Sequence, residues 1–113
     1  MSDCLFCRII RGEIPSKKVY EDETVFAFED INPGAPTHIL IVPKKHIAGL
    51  KEAADEDAGI IGYSHLIAAE LARKRGLDDG YRTVYNVGAD AGQSVFHLHL
   101  HLLGGRKLGW PPG

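Results

Sequence analysis

The sequence predicts an α+β domain built on an antiparallel sheet. Helix-like and strand-like stretches follow one another as helix, three strands, helix, two strands, with no βαβ alternation. Gly, Pro, Asn and Asp clusters separate the strand-like runs, and only one helical stripe is long. A length of 113 residues suits one domain, spanning 1–113.

The elements follow in order. Leu5, Ile9 and Ile10 recur at helical spacing, with Asp3 as N-cap and Gly12 as stop, so a short helix is predicted over about 4–11. Strands are predicted at 19–21 and 24–28, around the acidic turn Asp22-Glu23. Asn32-Pro33-Gly34-Ala35-Pro36 is turn chemistry, and the mostly apolar run 38–42 reads as a central strand ended by Pro43. From Asp55 to Arg75, Ile60, Ile61, Ile67, Ala68, Leu71 and Ala72 form one apolar stripe, and Gly76 ends the helix. Strands four and five are predicted over 81–87 and 95–103, joined by a loop of small residues at 88–94.

The composition, 44% hydrophobic and 25% charged, excludes disordered and fibrous classes. Thirteen basic against fifteen acidic side chains give a net charge of −2, so nucleic acid and membrane surfaces are not expected partners. No apolar stretch approaches the ~18 residues of a membrane span. The first residues lack the charged and apolar regions of a signal peptide, so a cytoplasmic location is expected, with Cys4 and Cys7 reduced unless they hold a metal.

The chemistry concentrates in His97-Leu98-His99-Leu100-His101-Leu102-Leu103, which holds three of the six histidines. On a strand their spacing puts three imidazoles on one face and the leucines on the other. Three imidazoles in a row would repel one another if protonated, so the arrangement favours neutral rings, a metal or an anion. Two chemistries fit: a three-nitrogen metal centre of a hydrolytic enzyme, or nucleophilic attack on phosphorus by a neutral imidazole whose Nδ1–H is anchored. The preceding loop favours the second. Gly88 and Gly92 let main-chain N–H groups approach an anion, Ser94 adds a hydroxyl, and the pattern is neither a Walker loop nor a dinucleotide fingerprint.

The histidine row matches the signature His-φ-His-φ-His-φ-φ of the histidine triad family, φ being apolar. Phe6 to Pro15, Asp30-Ile31, Ala35-Pro36-Thr37-His38, Val42-Pro43-Lys44-Lys45-His46-Ile47, Gly92-Gln93-Ser94 and Trp110-Pro111-Pro112-Gly113 resemble the branch called HINT, the histidine triad nucleotide-binding proteins or nucleoside phosphoramidases. The Trp-Pro-Pro-Gly ending separates this branch from the dinucleoside polyphosphate hydrolases and nucleotidylyltransferases of the superfamily.

The resemblance implies a five-stranded antiparallel sheet with two helices, paired into a two-fold homodimer whose sheets run together. It implies hydrolysis of the P–N bond of purine nucleoside phosphoramidates, with AMP and GMP among the nucleotides bound and no cofactor in the chemistry. His99 would be the nucleophile, His101 a hydrogen-bond partner of the phosphate, His97 an orienting residue and His38 part of the proton network. Asp30 would accept from the ribose hydroxyls and Ile31 would line the base pocket, although an acidic residue ahead of Asn-Pro-Gly also caps turns. Asn86, Gly92, Gln93 and Ser94 would hold the α-phosphate, with Ser94 near the leaving amine, and Trp110 would reach into the partner's site. The general chemistry agrees, because an imidazole of pKa ~6.5 is unprotonated near neutrality. A nucleotide-binding or scaffolding module with incidental hydrolysis is the alternative from another class.

Cys4-x-x-Cys7 has three readings. A redox pair would need a preceding strand, for which only three residues are available, and a disulfide conflicts with the expected compartment. Zinc needs two more ligands, for which His46 and His97 are the best candidates. A subset of bacterial-type histidine triad proteins holds a structural zinc in this way, and the resemblance extends to it.

Overall fold

The computed structural model describes residues 4–113. In chain order it contains α1 (Leu5–Ile10), β1 (Lys18–Glu21), β2 (Val25–Glu29), β3 (Thr37–Pro43), α2 (Ala58–Lys74), β4 (Tyr81–Val84) and β5 (Leu100–Gly104). The five strands form one sheet in the order β1-β2-β3-β5-β4, and every neighbouring pair is antiparallel. The α+β class with five strands and two helices is therefore the observed one.

The sheet divides its side chains by parity. Val25, Ala27, Ile39, Ile41, Leu100 and Leu102 face α2 and pack against Ile67, Ala68, Leu71 and Ala72. Phe26, Phe28, Leu40 and Val42 point the other way, onto Phe6 and Ile9 of α1. Each fully buried aliphatic side chain contributes about 1.5–3 kcal/mol through the apolar area it removes from water. The histidines belong to the α1 side, opposite the leucines that alternate with them.

The helix boundaries follow local chemistry. At its start, Cys4 occupies the N-cap of α1 and its Sγ accepts from the Cys7 N–H, while Asp3, the expected cap, lies outside the described residues. The expected 55–75 helix begins instead as a 3₁₀ turn, Asp55–Asp57, before α2 proper. There the buried Asp57 carboxylate accepts from the Ala54 N–H and from Lys45. At the far end of α2, Gly76 takes φ +70°, and the Gly76 and Leu77 N–H groups return to the Arg73 and Ala72 carbonyls. That pairing closes the helix and drops Leu77 into the core.

Two strand predictions are corrected. β4 ends at Val84 rather than 87, and the strand expected over 95–103 pairs only from Leu100 to Gly104. The physical reason for the second lies in the neighbouring strand. β3 and β5 pair as Thr37 with Gly104 through Ile41 with Leu100, and continuing that register brings Pro43 opposite Leu98. A proline has no N–H to give to a ladder. The Leu98 N–H turns instead to the Ile47 carbonyl, at 2.6 Å.

Candidate functional site

His97 lies in a bend and His99 in unpaired chain, so only the last of the three histidines sits in a paired strand. His97 is fully buried, His99 is 9% exposed, and the His99 and His101 rings lie 5.0 Å apart between centroids. Main-chain groups select each tautomer. His97 donates from Nε2 to the Pro43 carbonyl at 2.7 Å, which leaves Nδ1 as a lone pair. His99 donates from Nδ1 to the His97 carbonyl at 2.7 Å, which leaves Nε2 as a lone pair. His38 accepts the Gly34 N–H on Nδ1 at 2.9 Å, so its proton sits on Nε2. That proton faces His101 Nδ1 at 2.9 Å and Asp30 Oδ2 at 3.3 Å.

Burial keeps these rings neutral. It pushes the pKa of His99 and of His38 below the usual imidazole value, against the hydrogen bond to the His97 carbonyl in the first and the Asp30 charge in the second. Burial first, then the neighbouring His99 and His38, lower His101 to about 4. Burial likewise takes His97 to about 4. Near pH 7 the site therefore holds a neutral imidazole with a bare Nε2, the form a nucleophile needs.

The loop before the row is stapled from within. Gly88 and Gly92 take φ +86° and +94°, a region that favours glycine, around the 3₁₀ turn Ala89–Ala91. The buried Gln93 side chain accepts the Gly88 N–H and donates to the Ala48 and Val95 carbonyls. The N–H groups of Ala91, Gly92 and Gln93 return to carbonyls within the turn. Gln93 thus shapes the loop, and neither its amide side chain nor its N–H is left over for an anion. Ser94 is exposed at the loop's exit, ahead of the histidines. Asn86 lies beside the other end of the row, its Nδ2 at 3.4 Å from His101 Nε2.

Asp30 serves two neighbours. Its Oδ1 accepts the Asn32 N–H at 2.8 Å, which is the turn cap, and Oδ2 faces His38. Ile31 and Trp110 stand away from the protein, 91% and 83% exposed. Sequence reasoning missed Phe6 as a wall of the site, with Phe28 behind it. The Phe6 ring is edge-on to Phe28 at 5.4 Å and to His99 at 5.1 Å between centroids. Also missed were the Gly34 N–H and the Pro43 carbonyl, because main-chain partners carry no signature in residue type. His65 is exposed on α2 beside Tyr85 and takes no part in the site.

Cys4 and Cys7 meet His46 and His97. Cys4 Sγ is 3.3 Å from His97 Nδ1, Cys7 Sγ is 3.3 Å from His46 Nδ1 and 3.6 Å from His97 Nδ1, and the two Nδ1 atoms are 3.1 Å apart. A tetrahedral zinc with bonds of ~2.0 Å to nitrogen and ~2.3 Å to sulfur has ligand-to-ligand edges of roughly 3.3–3.8 Å. The four donors fit that geometry, and the His97 Nε2–H bond to Pro43 is the outer contact that aims a ligand ring. Burial, and then Cys4, raise the pKa of the Cys7 thiol, a bias toward the protonated form that a bound cation reverses.

Asp30, His38 and His101 also converge. A cation there would have to displace the His38 Nε2 proton and turn Nδ1 into a donor facing the Gly34 N–H. Hydrogen bonding suits that trio better. The triad imidazoles do not share one centre, since His97 joins the cysteines and His101 joins Asp30 and His38. Among the described residues no helix is long and apolar enough to cross a membrane.

Comparison with known proteins agrees with this geometry. The family model described as HIT domain matches residues 11–108. A "14 kDa zinc-binding protein" of Zea mays is 54% identical over 99% of this chain and 89% of its own length. The crystal structure of a HIT family hydrolase from Legionella pneumophila superposes with a TM-score of 0.96 at 52% identity, covering 98% of this chain and all of that one. A histidine triad nucleotide-binding protein from Candida albicans gives 0.81 at 36% identity, covering 96% and 83%. With the family model spanning most of the sequence and the fold shared throughout, the chain belongs to the HIT domain family.

Proposed function

We propose that the chain is a hydrolase of the HINT branch that cleaves the P–N bond of purine nucleoside phosphoramidates, of the adenosine 5'-monophosphoramidate type. One observation carries the reading: His99 is buried, neutral and tied through Nδ1–H to the His97 carbonyl, so Nε2 is bare. In the first step the Nε2 lone pair attacks the α-phosphorus. An N–P bond forms, the P–N bond to the amine breaks, and the amine leaves with a proton relayed through Ser94 and the histidine network. In the second step water attacks the same phosphorus, the N–P bond breaks, and nucleoside monophosphate leaves. Charge on the non-bridging oxygens meets His101, Asn86 and Ser94.

The second carboxylate oxygen of Asp30 is the acceptor we assign to the ribose, with Ile31 at the base. Gln93 contributes through the loop it staples. The exposure of Trp110 and Ile31 supports a two-fold homodimer in which Trp110 enters the partner's site. A zinc ion held by Cys4, Cys7, His46 and His97 would be four-coordinate, closed to substrate, and would supply folding free energy.

His99→Ala tests the reading. Turnover of adenosine 5'-monophosphoramidate is expected to fall at least about 10³-fold while AMP still binds, and a radiolabelled nucleotide trapped on the wild-type protein should map to the peptide holding His99. Turnover that survives the substitution overturns the assignment. Hydrolysis confined to dinucleoside polyphosphates would move the chain to the neighbouring branch.

A further inference from the structure

Residues 95–99 carry the nucleophile yet lie outside the sheet ladder. Among the described residues, the main-chain hydrogen bond that ties this segment to its surroundings is the Leu98 N–H to the Ile47 carbonyl. The Gln93 side chain holds the Val95 carbonyl at the segment's start, and next to the nucleophile the His97 side chain fixes it, with the Pro43 carbonyl on one nitrogen and Cys4, Cys7 and His46 on the other. The peptide carbonyl of the same residue then holds His99 Nδ1–H. A second route runs through α1. Six residues are too few for a helix to stand alone. Cys4 and Cys7 anchor its start, and Phe6 between them presses edge-on against both His97 and His99, at 6.0 and 5.1 Å between centroids.

We propose that Cys4, Cys7 and His46 are positioning residues for the nucleophile. With a cation shared between them and His97, the His97 carbonyl and the Phe6 ring are fixed together, and His99 stays in the single tautomer that leaves Nε2 bare. Without the cation, the Pro43 carbonyl still holds Nε2–H, but Nδ1 faces three groups that can each donate or accept, so the tilt of the ring is less defined and the carbonyl moves with it. His101 stands apart from this coupling because its strand is paired on both sides. The kinetic part of the inference rests on His99 being the nucleophile; the tautomer part does not.

The test uses the whole chain labelled with ¹⁵N-histidine, loaded with zinc and then stripped by a chelator, with metal content measured. Loaded protein should show His99 protonated at Nδ1 alone. Stripped protein should show a tautomer mixture at His99 with His101 unchanged. The single-turnover rate of nucleotide transfer to His99 should fall about 10–100-fold, with a smaller change in KM. Cys4→Ser with Cys7→Ser should reproduce the stripped state. If that variant does not fold, His46→Gln, which removes an exposed donor and leaves three, should show the same change in part. A His99 tautomer indifferent to zinc overturns the proposal. So does a change shared equally by His99 and His101, or wholesale unfolding of the stripped chain, since either assigns the four residues to general stability. A His99 tautomer that follows zinc in a chain that never forms a nucleotide adduct keeps the coupling and overturns the reading of function instead.

Discussion

His99 and His101 are two residues apart with rings 5.0 Å from centroid to centroid, yet the chain holds them by different means. His101 sits in β5, opposite Leu40 on one side and Val84 on the other, between Leu100 and Leu102, which are 1% and 0% exposed. Its backbone is as secure as the core. His99 comes before the ladder begins and depends on a carbonyl, a phenyl ring and a cluster of sulfur and nitrogen donors. The difference teaches that neighbouring members of one motif can have separate stabilities. The sheet fixes His101, and side-chain anchors fix His99, the nucleophile we propose.

That division can be broken in graded steps. The largest effect on the sheet-held half is expected from Leu102→Ala, which empties a fully buried site facing α2 and should cost about 2–5 kcal/mol in denaturant unfolding. Turnover per folded molecule should stay near the wild-type value, because the change lies on the far face. A fully folded variant with collapsed turnover would mean that the two faces are not independent. His38→Gln comes next. It removes the ring between Asp30 and His101, and kcat should fall about 10²-fold, close to 2.7 kcal/mol of barrier, with His99 still forming its adduct. Loss of the adduct itself would place His38 on the nucleophile's side of the division.

The smallest effect is expected away from both halves, at Asp22 in the β1–β2 turn. Burial raises the pKa of this carboxyl, but hydroxyl donation from Tyr63 and Tyr20 and the N–H groups of Val25 and Thr24 outweigh it and hold it far below the usual range. A carboxyl depressed on folding adds stability above its unfolded pKa of ~3.9 and loses that contribution as pH falls toward the folded value. Asp22→Asn should therefore cost about 1 kcal/mol at pH 7 after allowance for solvent screening. The gap from wild type should close below about pH 4 in thermal melts. A gap that stays constant down to pH 2 would show that the carboxylate charge is not what the turn uses.

Much of this arrangement is legible in the sequence, for local reasons. The order of elements follows from turn residues and one apolar stripe, and the histidine row announces itself by strict alternation. Cys4, Cys7, His46 and His97 are candidates by residue type alone, and the fold brings them together. What is not legible comes from contacts remote in sequence. The early end of the β5 ladder depends on Pro43 of β3, and the tautomer of His99 depends on a carbonyl that any residue would supply. The family resemblance implies a phosphate contact for Gln93, whereas its side chain is spent on Gly88, Ala48 and Val95. Nothing local to Lys45 in the sequence announces its pairing with the buried Asp57 ahead of α2.

The partition of the sheet into an aliphatic side under α2 and a histidine side under α1 makes the domain modular in an engineering sense. Residues such as Ile39, Ile41, Ile67 and Leu71 form a chassis that can be rebuilt for heat tolerance without retuning the reactive groups. Libraries meant to change the reaction belong on α1, the 88–94 loop and the ends of β3.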